Sequence, residues 1–267
     1  MDALVEGVDH VYVPMREADA AFAVLSEELD LPALWPFTSF GEFASGGVSL
    51  GSIKLEVLEA NPRTPWSRAH EPPRIQAVAL RPARAVYDGF LAELDSRGVH
   101  RTAPEEFEPA DRSGWTNVYF PDLVGEDAGV FVCDYHAPGP RDLVRRRRLL
   151  AERQGGRLGV LDAVEVVISA RDAASARDRW QRLLGPVPSG HPWTWRLTTG
   201  PVVTLVEGVE DGVAELVVAV RSVGDARRRW RGLAGPLDGL PLAFVPAPDP
   251  DAPSPRAGPG EGWVSGC

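Results

Sequence analysis

One strand–helix unit occurs twice in the C-terminal half of this chain. Residues 176–186 (ARDRWQRLLGP) are followed 50 residues later by residues 226–236 (ARRRWRGLAGP). An apolar run precedes each copy, at 163–169 and at 216–220. A repeat of this kind indicates that one supersecondary unit was duplicated, and that neighbouring copies pack on each other. The chain is therefore constrained to a fold assembled from similar strand–helix units.

A fainter pair of units occupies the N-terminal half. Residues 8–13 and 74–80 are strand-like runs, and each leads into a helical stretch. Each helical stretch carries apolar residues along one face. They are Phe22, Leu25 and Leu29 in the first stretch, and Val86, Phe90 and Leu94 in the second. Further strand-like runs follow the helices, at 42–50 and 53–59, and at 101–107, 115–120 and 129–135. The pattern predicts four units of the form βαβββ, of which the third and fourth are shortened.

The predicted organisation has four parts. Residues 1–139 form a first domain of two units, 140–156 a linker helix, 157–245 a second and degenerate domain, and 246–267 a disordered tail rich in Pro and Gly. The linker contains the run Arg145–Arg148, whose apolar neighbours favour a solvated helix with arginine stems covering apolar surface. The fold class is α+β.

Composition excludes several classes of protein. The chain has 267 residues, of which 44% are hydrophobic, but no run of 18 apolar residues, so a membrane partner is not expected. A formal net charge of −10 disfavours nucleic acid as a partner. The N-terminus lacks a signal-peptide pattern, and the two cysteines provide no disulfide framework. We therefore expect a cytoplasmic protein, monomeric or homodimeric, with a small-molecule partner.

Two polar residues stand out on strands of the first unit. Alternation along the first strand sends His10 and Tyr12 to the face opposite Val11 and Val13. Alternation in residues 53–59 likewise places Lys54, Glu56 and Leu58 on one face. A glutamate in an apolar strand is costly to bury unless it is paired or binds a metal. His10 and Glu56 are thus predicted to share a concave face, whereas Asp9 should point away because adjacent strand residues face opposite sides.

Residues 8–13 (VDHVYV), the Gly46–Gly51 region taken as a turn, and residues 55–59 (LEVLE) resemble the vicinal oxygen chelate superfamily. That superfamily includes glyoxalase I, the methylmalonyl-CoA epimerases, extradiol dioxygenases, and the bleomycin and fosfomycin resistance proteins. The resemblance implies two tandem open barrels, the second degenerate, with metal ligands on the first and last strands of each module. It covers residues 5–137 well, and 160–245 only through the strand–helix repeat.

The resemblance also implies a site. His10 and Glu56 match ligand positions of the first module, and Gln76 falls at the first-strand position of the second, so these three residues are the candidate ligands of a divalent metal (Fe, Mn, Zn or Ni). Cys133 falls where a glutamate is commonest. Glu56 and Tyr12 are the candidate catalytic residues. The candidate substrate-binding residues are Trp35, Phe37, Phe43, Trp115, Tyr119 and Cys133, whose aromatic members suit an aromatic or apolar small molecule.

Two functions remain open at this stage. The first is a glyoxalase-like lyase, isomerase or dioxygenase in which a metal held by His10 and Glu56 stabilises an enolate-type anion. The second is a metal-free protein that sequesters a small molecule, as the antibiotic-resistance members do. His10 and Glu56 favour the enzyme, whereas Gln76 and Cys133 favour the binding protein.

Overall fold

The computed structural model describes residues 2–41, 43–61, 67–83, 87–108, 113–125, 128–136, 141–187, 190, 192–233 and 235–247. Val86, in the predicted apolar stripe of the second helix, lies outside these ranges. So does all but the start of the predicted tail, residues 246–267.

The first two units have the predicted βαβββ order. Unit one consists of β1 (Val5–Met15), α1 (Ala18–Ala23, continued by a π-helical turn, Val24–Glu28), β2 (Ala33–Ser39), β3 (Ala44–Ser49) and β4 (Lys54–Glu59). Unit two consists of β5 (Ala77–Pro82), α2 (Tyr87–Ser96), β6 (Glu105–Phe107), β7 (Trp115–Tyr119) and β8 (Gly129–Tyr135). Leu25, Leu29, Phe90 and Leu94 are buried, as the apolar stripes predict.

These two units form one curled sheet of eight strands in the order β2-β3-β4-β1-β5-β8-β7-β6. The first strands of the units, β1 and β5, pair antiparallel at its centre. Each is flanked by the last strand of its own unit in parallel, β4 beside β1 and β8 beside β5. The two units therefore meet through equivalent strands, and their remaining strands curl around a common concave face.

The second half repeats this arrangement with fewer strands. After α3 (Arg141–Glu152) and a 3-10 turn (Gly156–Leu158), the third unit consists of β9 (Val160–Ala170), α4 (Ala173–Leu184), β10 (Trp193–Trp195) and β11 (Val202–Glu207). The fourth consists of β12 (Gly212–Val220), α5 (Val223–Arg231) and β13 (Leu242–Pro246). Their sheet has the order β10-β11-β9-β12-β13, with β9 and β12 antiparallel at its centre. The α+β class and the shortened second half are confirmed.

The strand β2 was not among the predicted strand-like runs, and its sequence contains Pro36. A proline lacks the N–H that a central strand needs, but β2 lies at the edge of its sheet, where proline is tolerated. Its pairing with β3 is irregular, with register shifts between Ala33 and Trp35 and between Trp35 and Thr38. The Gly46–Gly51 region, expected to be a turn, lies largely within β3.

The two halves share one hydrophobic core, which contains buried residues of both sheets. Trp180 of α4 is fully buried, and its indole N–H donates to the backbone oxygen of Leu123 in the first half. Its repeat counterpart Trp230 is only half-buried, against Phe244. None of the described helices is long and apolar enough to cross a membrane.

Replacing Trp180 tests this shared core. Trp180→Ala should lower the free energy of unfolding by about 3–5 kcal/mol, because it opens a cavity and removes the indole donor to Leu123. Urea denaturation measures the change. The matched control is Trp230→Ala, which should cost clearly less because that side chain keeps contact with solvent. Equal losses in the two variants would contradict the assignment of Trp180 to the joint between the halves.

Candidate functional site

A cavity of about 560 Å³ lies on the concave face of the first sheet. It is bounded by His10 and Tyr12 of β1, by Lys54, Glu56 and Leu58 of β4, and by alternate residues of β7 and β8. Val11, Val13, Leu55 and Val57 lie in the core on the other side of the sheet. The alternation read from the sequence therefore identified this face correctly for β1 and β4.

His10 and Glu56 meet in this cavity. The Nε2 atom of His10 lies 3.4 Å from the Oε2 atom of Glu56, and both side chains are largely buried. The two residues predicted to share a concave face therefore lie in contact. The ring of Phe131 stands edge-on to the imidazole, with ring centroids 5.6 Å apart, and so limits its movement.

Asp9 also contacts His10, contrary to the sequence-based expectation. Its Oδ2 atom lies 2.9 Å from Nδ1 of His10. The reason is a β-bulge: Val8 pairs with Leu80 and His10 with Ala79, so Asp9 is an extra residue on β1. A bulge breaks the strict alternation of a strand, which lets both side chains reach the same neighbourhood. Asp9, His10 and Glu56 thus form a continuous chain of polar groups that ends in the cavity.

The carboxylate of Asp9 lies at the centre of a buried ionic cluster. Its Oδ2 atom accepts from Lys54 Nζ at 2.7 Å and from the Tyr135 hydroxyl at 3.2 Å, and its Oδ1 atom accepts from Arg81 at 3.2 Å. Burial would raise the pKa of Asp9, but the charge of Lys54, the hydrogen bond and charge of His10, and the charge of Arg146 together hold it well below the usual value. Asp9 is therefore an anion at neutral pH.

The burial of Arg146 is the largest departure from what the sequence predicts. The arginine run was expected to be a solvated linker, yet Arg146 is 0% exposed. Its guanidinium donates from NH1 to the backbone oxygen of Asp9 at 3.1 Å, and the same nitrogen lies 3.7 Å from Asp9 Oδ1. Its Nε atom lies 3.3 Å from Asp142 of the same helix. Because α3 is amphipathic, one arginine of the run faces the first sheet while its neighbours Arg147 and Arg148 remain exposed.

Aromatic side chains form the outer walls of the cavity. Phe40 and Phe43 stack on each other with centroids 5.1 Å apart, and Phe107 stacks on Trp115 at 5.3 Å. Phe40 also touches Trp115 edge-on, so residues of both units meet over the cavity. Of the candidate substrate-binding residues, the following border the cavity: Trp35, Phe43, Trp115, Tyr119 and Cys133.

Phe37 does not border the cavity. It packs instead against the core and the ring of Phe22. Strict alternation would put Phe37 on the same face as Trp35, but the register shift of β2 between Trp35 and Thr38 turns it to the other side.

Two glycines of β3 make room for these aromatic rings. A Cβ atom on Gly47 would lie 2.1 Å from the ring of Trp35, and one on Gly46 would lie 2.5 Å from the ring of Phe22. The two glycines face opposite sides of the sheet, so one admits a cavity aromatic and the other a core aromatic. Gly46 and Gly47 therefore allow aromatic rings to pack closely against both faces of β3.

Gln76 is buried but does not border the cavity, and its amide atoms have no hydrogen-bond partner among the described residues. The strand registers explain this. Tyr12 pairs with Glu56 across the parallel β1–β4 pair, and Ala79 pairs with Phe131 across β5–β8. Matching the core residues Val11 and Val78 then makes Ala77 the counterpart of His10. Phe131 likewise becomes the counterpart of Glu56. The two positions of unit two that match His10 and Glu56 are therefore occupied by Ala77 and Phe131, and not by Gln76 and Cys133 as the resemblance implied.

The donors present do not fit a metal of the kind that the fold family implies. Catalytic sites for divalent ions use at least three protein ligands as a rule. Here His10 and Glu56 supply two, and the equivalent positions of unit two hold Ala77 and Phe131. Within the described ranges no three residues among His, Cys, Asp and Glu are grouped to hold an ion. Burial raises the pKa of the Cys133 thiol, which keeps it a poor ligand near neutral pH.

The phenols of the cavity are neutral hydrogen-bonding groups. Burial, with the charges of Tyr119 and Glu56, raises the pKa of Tyr12 well above 10. Burial raises the pKa of Tyr119 to about 12, despite a hydrogen bond from the Asn117 amide at 3.2 Å. Burial and the charge of the nearby Asp9 also raise the pKa of Tyr135 above its usual value. Protonated phenols are suited to donate hydrogen bonds to an oxygen atom.

Comparisons with known proteins identify the fold. No family model and no curated protein matches the sequence. Solved structures do match. A hypothetical protein from Staphylococcus aureus superposes with a TM-score of 0.58 at 10% identity, covering 80% of this chain and 91% of that one.

Two further structures are enzymes of the vicinal oxygen chelate superfamily. A triple mutant of 4-hydroxymandelate synthase from Streptomyces coelicolor gives a TM-score of 0.56 at 15% identity, covering 84% of this chain and 74% of the other. The 2,3-dioxygenase LapB from Pseudomonas sp. KL28 gives 0.52 at 10% identity, covering 86% and 80%. The chain therefore has the vicinal oxygen chelate fold, as the sequence resemblance implied.

Titration of the tyrosines tests the electrostatics of the cavity. The chain has four tyrosines. Three have raised pKa values, so at most one should ionise near pH 10 in the folded protein, whereas all four should ionise in urea. Above pH 10 the unfolded chain then binds fewer protons than the folded one, so stability should fall as pH rises. Absorbance at 295 nm reports ionisation, and two or more native tyrosinates at pH 10 would contradict the burial of these phenols.

Proposed function

We propose that the protein is an enzyme that moves a proton on a small, largely apolar or aromatic molecule bound in the cavity. The observation that carries the proposal is the chain Asp9–His10–Glu56, which runs from a buried ionic cluster into an aromatic-lined cavity. Paired acid–base groups beside a concave apolar site are the usual arrangement for proton transfer.

The roles follow from the contacts. Glu56 accepts a proton from a carbon next to a carbonyl group. His10, held through Nδ1 by Asp9, stands beside Glu56 to exchange that proton through Nε2. The neutral phenols of Tyr12 and Tyr119 donate hydrogen bonds to the oxygen that becomes negative when the proton leaves. The proton returns to carbon or to the oxygen, so no atom is lost and no oxidant is needed.

The aromatic walls orient the substrate. The stacked pairs Phe40–Phe43 and Phe107–Trp115 offer flat apolar surfaces, and His10, Glu56 and the phenols offer polar groups in the same cavity. A molecule with an aromatic or apolar body and a carbonyl group matches both kinds of surface. Such a molecule would lie with its carbonyl toward His10 and Glu56.

Hydrogen–deuterium exchange tests the proposed reaction. The protein is incubated in D₂O with a panel of aryl-substituted 2-oxo acids and aryl ketones, and loss of the proton next to the carbonyl is followed by NMR. We expect the wild type to accelerate this loss for at least one compound. Glu56→Gln should slow it on the order of 10²–10⁴-fold, because a general base contributes by that amount. The control Glu59→Gln changes an exposed glutamate on the same strand and should behave as the wild type.

A second candidate, a metal-free binding protein, is favoured by the aromatic surface of the cavity. It predicts saturable binding of the same compounds without exchange. Affinity would then be insensitive to Glu56→Gln, and Trp115→Ala would weaken it by about 1–3 kcal/mol through lost apolar contact. Binding without exchange overturns the enzyme, and neither binding nor exchange overturns both candidates.

Metal dependence provides an independent test. Since no three donors of the usual kind are grouped among the described residues, calorimetric titration with Mn²⁺, Fe²⁺, Zn²⁺ or Ni²⁺ should show no saturable site at about one ion per chain. A chelator should leave the exchange rate unchanged. If an ion binds stoichiometrically and this binding is lost in His10→Ala, the result would instead support the metal-dependent reaction that the resemblance implied.

A further inference from the structure

Helix α3 brings a buried cation to the back of the candidate site. It follows the first sheet in the chain, packs against β3 and β9, and buries Arg146 completely. We propose that Arg146 and Lys54 are positioning residues, which fix Asp9 so that it holds the proton of His10 on Nδ1 and aims Nε2 into the cavity. The inference rests on the proposed function only in treating His10 as the group that faces the reacting molecule.

The bulge explains why Asp9 needs such support. The extra residue of a bulge is left outside the regular hydrogen-bond ladder of the sheet. Arg146 supplies a donor at this irregular position, because its NH1 atom contacts the backbone oxygen of Asp9 at 3.1 Å. The same guanidinium is 3.7 Å from the Asp9 carboxylate. One side chain therefore holds both the irregular backbone and the charge of Asp9.

Lys54 acts on the other carboxylate oxygen. Its ammonium lies 2.7 Å from Oδ2 of Asp9 and 2.9 Å from the hydroxyl of Tyr135, over whose ring it also sits. The oxygen that binds Lys54 is the one that contacts His10. An ionised carboxylate only accepts hydrogen bonds, so the His10 nitrogen facing it must carry a proton. Fixing Asp9 as an anion thus keeps a proton on Nδ1 of His10, and Nε2, 3.4 Å from Glu56, is left as the nitrogen that exchanges a proton.

The titratable and charged groups around Asp9 come from five elements. They are His10 on β1, Lys54 on β4, Arg81 on β5, Cys133 and Tyr135 on β8, and Arg146 on α3, with Glu56 of β4 on the far side of His10. Arg81 is shared with Glu6, and Arg146 with Asp142. Lys54 is the cation closest to the oxygen that contacts His10, and Arg146 alone also holds the backbone of Asp9. Removing either should disturb His10 more than removing a surface charge.

The rest of the arginine run supplies a matched control. Arg147 pairs with Asp162 of β9, and Arg148 pairs with Glu152 at the exposed side of α3. Arg148→Gln removes one positive charge from the same helix without touching the site. A change caused by the net charge of α3 would appear in Arg148→Gln as well as in Arg146→Met.

The tautomer of His10 is measured directly in the protein without substrate. Long-range ¹H–¹⁵N NMR spectra are recorded at about pH 8, above the usual pKa of histidine, for ¹⁵N-labelled wild type, Arg146→Met, Lys54→Met and Arg148→Gln. The signal is assigned with His10→Gln among the five histidines. We expect Nδ1 of His10 to be protonated in the wild type and in Arg148→Gln. In Arg146→Met and Lys54→Met the population protonated on Nε2 alone should rise at least about tenfold, as expected when a charge-assisted contact is lost.

An unchanged His10 signal in folded Arg146→Met and Lys54→Met overturns the inference, as does an equal change in Arg148→Gln. If Arg146→Met does not fold, the same NMR measurement is made on Arg146→Lys. This variant keeps the positive charge but loses the guanidinium contact to the Asp9 carbonyl. Failure of the inference leaves hydrogen–deuterium exchange by the wild type intact. Failure of the proposed function leaves the tautomer measurement intact, so the two are distinguished.

Discussion

A buried carboxylate on the first strand of the curled sheet is the charge around which several elements of this protein are arranged. Asp9 is 2% exposed, and a charge in that position is tolerated only when cations and hydrogen-bond donors surround it. Lys54, Arg81 and Arg146 supply the cations, each from a different element. The relative placement of β4, β5 and α3 on β1 is consequently tied to one side chain. The same carboxylate orients His10, so the interaction that organises this part of the fold also organises the site.

The cavity is chemically unequal on its two sides because the two units diverged. Unit one contributes His10, Tyr12 and Glu56, whereas unit two presents Ala77, Ala79 and Phe131 at the matching places. The symmetry of the backbone therefore survives without symmetry of the side chains. The matching places in unit two thus offer no ligand to an ion that His10 and Glu56 could hold, which is why we favour proton transfer over metal chemistry.

Periodicity predicted the parts of the structure that obey it. Alternation along β1 and β4 placed His10, Tyr12 and Glu56 on the cavity face, and the repeats predicted the order of the units. Local departures from periodicity could not be read from the sequence: the bulge at Asp9, the register shift that turns Phe37 inward, and the one-residue offset that replaces Gln76 by Ala77. Arg146 was missed for a related reason. Four identical residues in a row give no sign of which one faces the sheet.

The position of Arg146 in the chain has a consequence for biogenesis and for engineering. During synthesis from the N-terminus, both units of the first sheet are complete before α3 emerges, so Asp9 initially lacks one of its cations and the guanidinium contact to its backbone oxygen. The contacts between Arg146 and Asp9 form only once the connecting helix has docked. A fragment ending at β8 would carry the whole cavity sheet and still contain an incompletely supported carboxylate. The connector thus belongs, in functional terms, to the domain that precedes it.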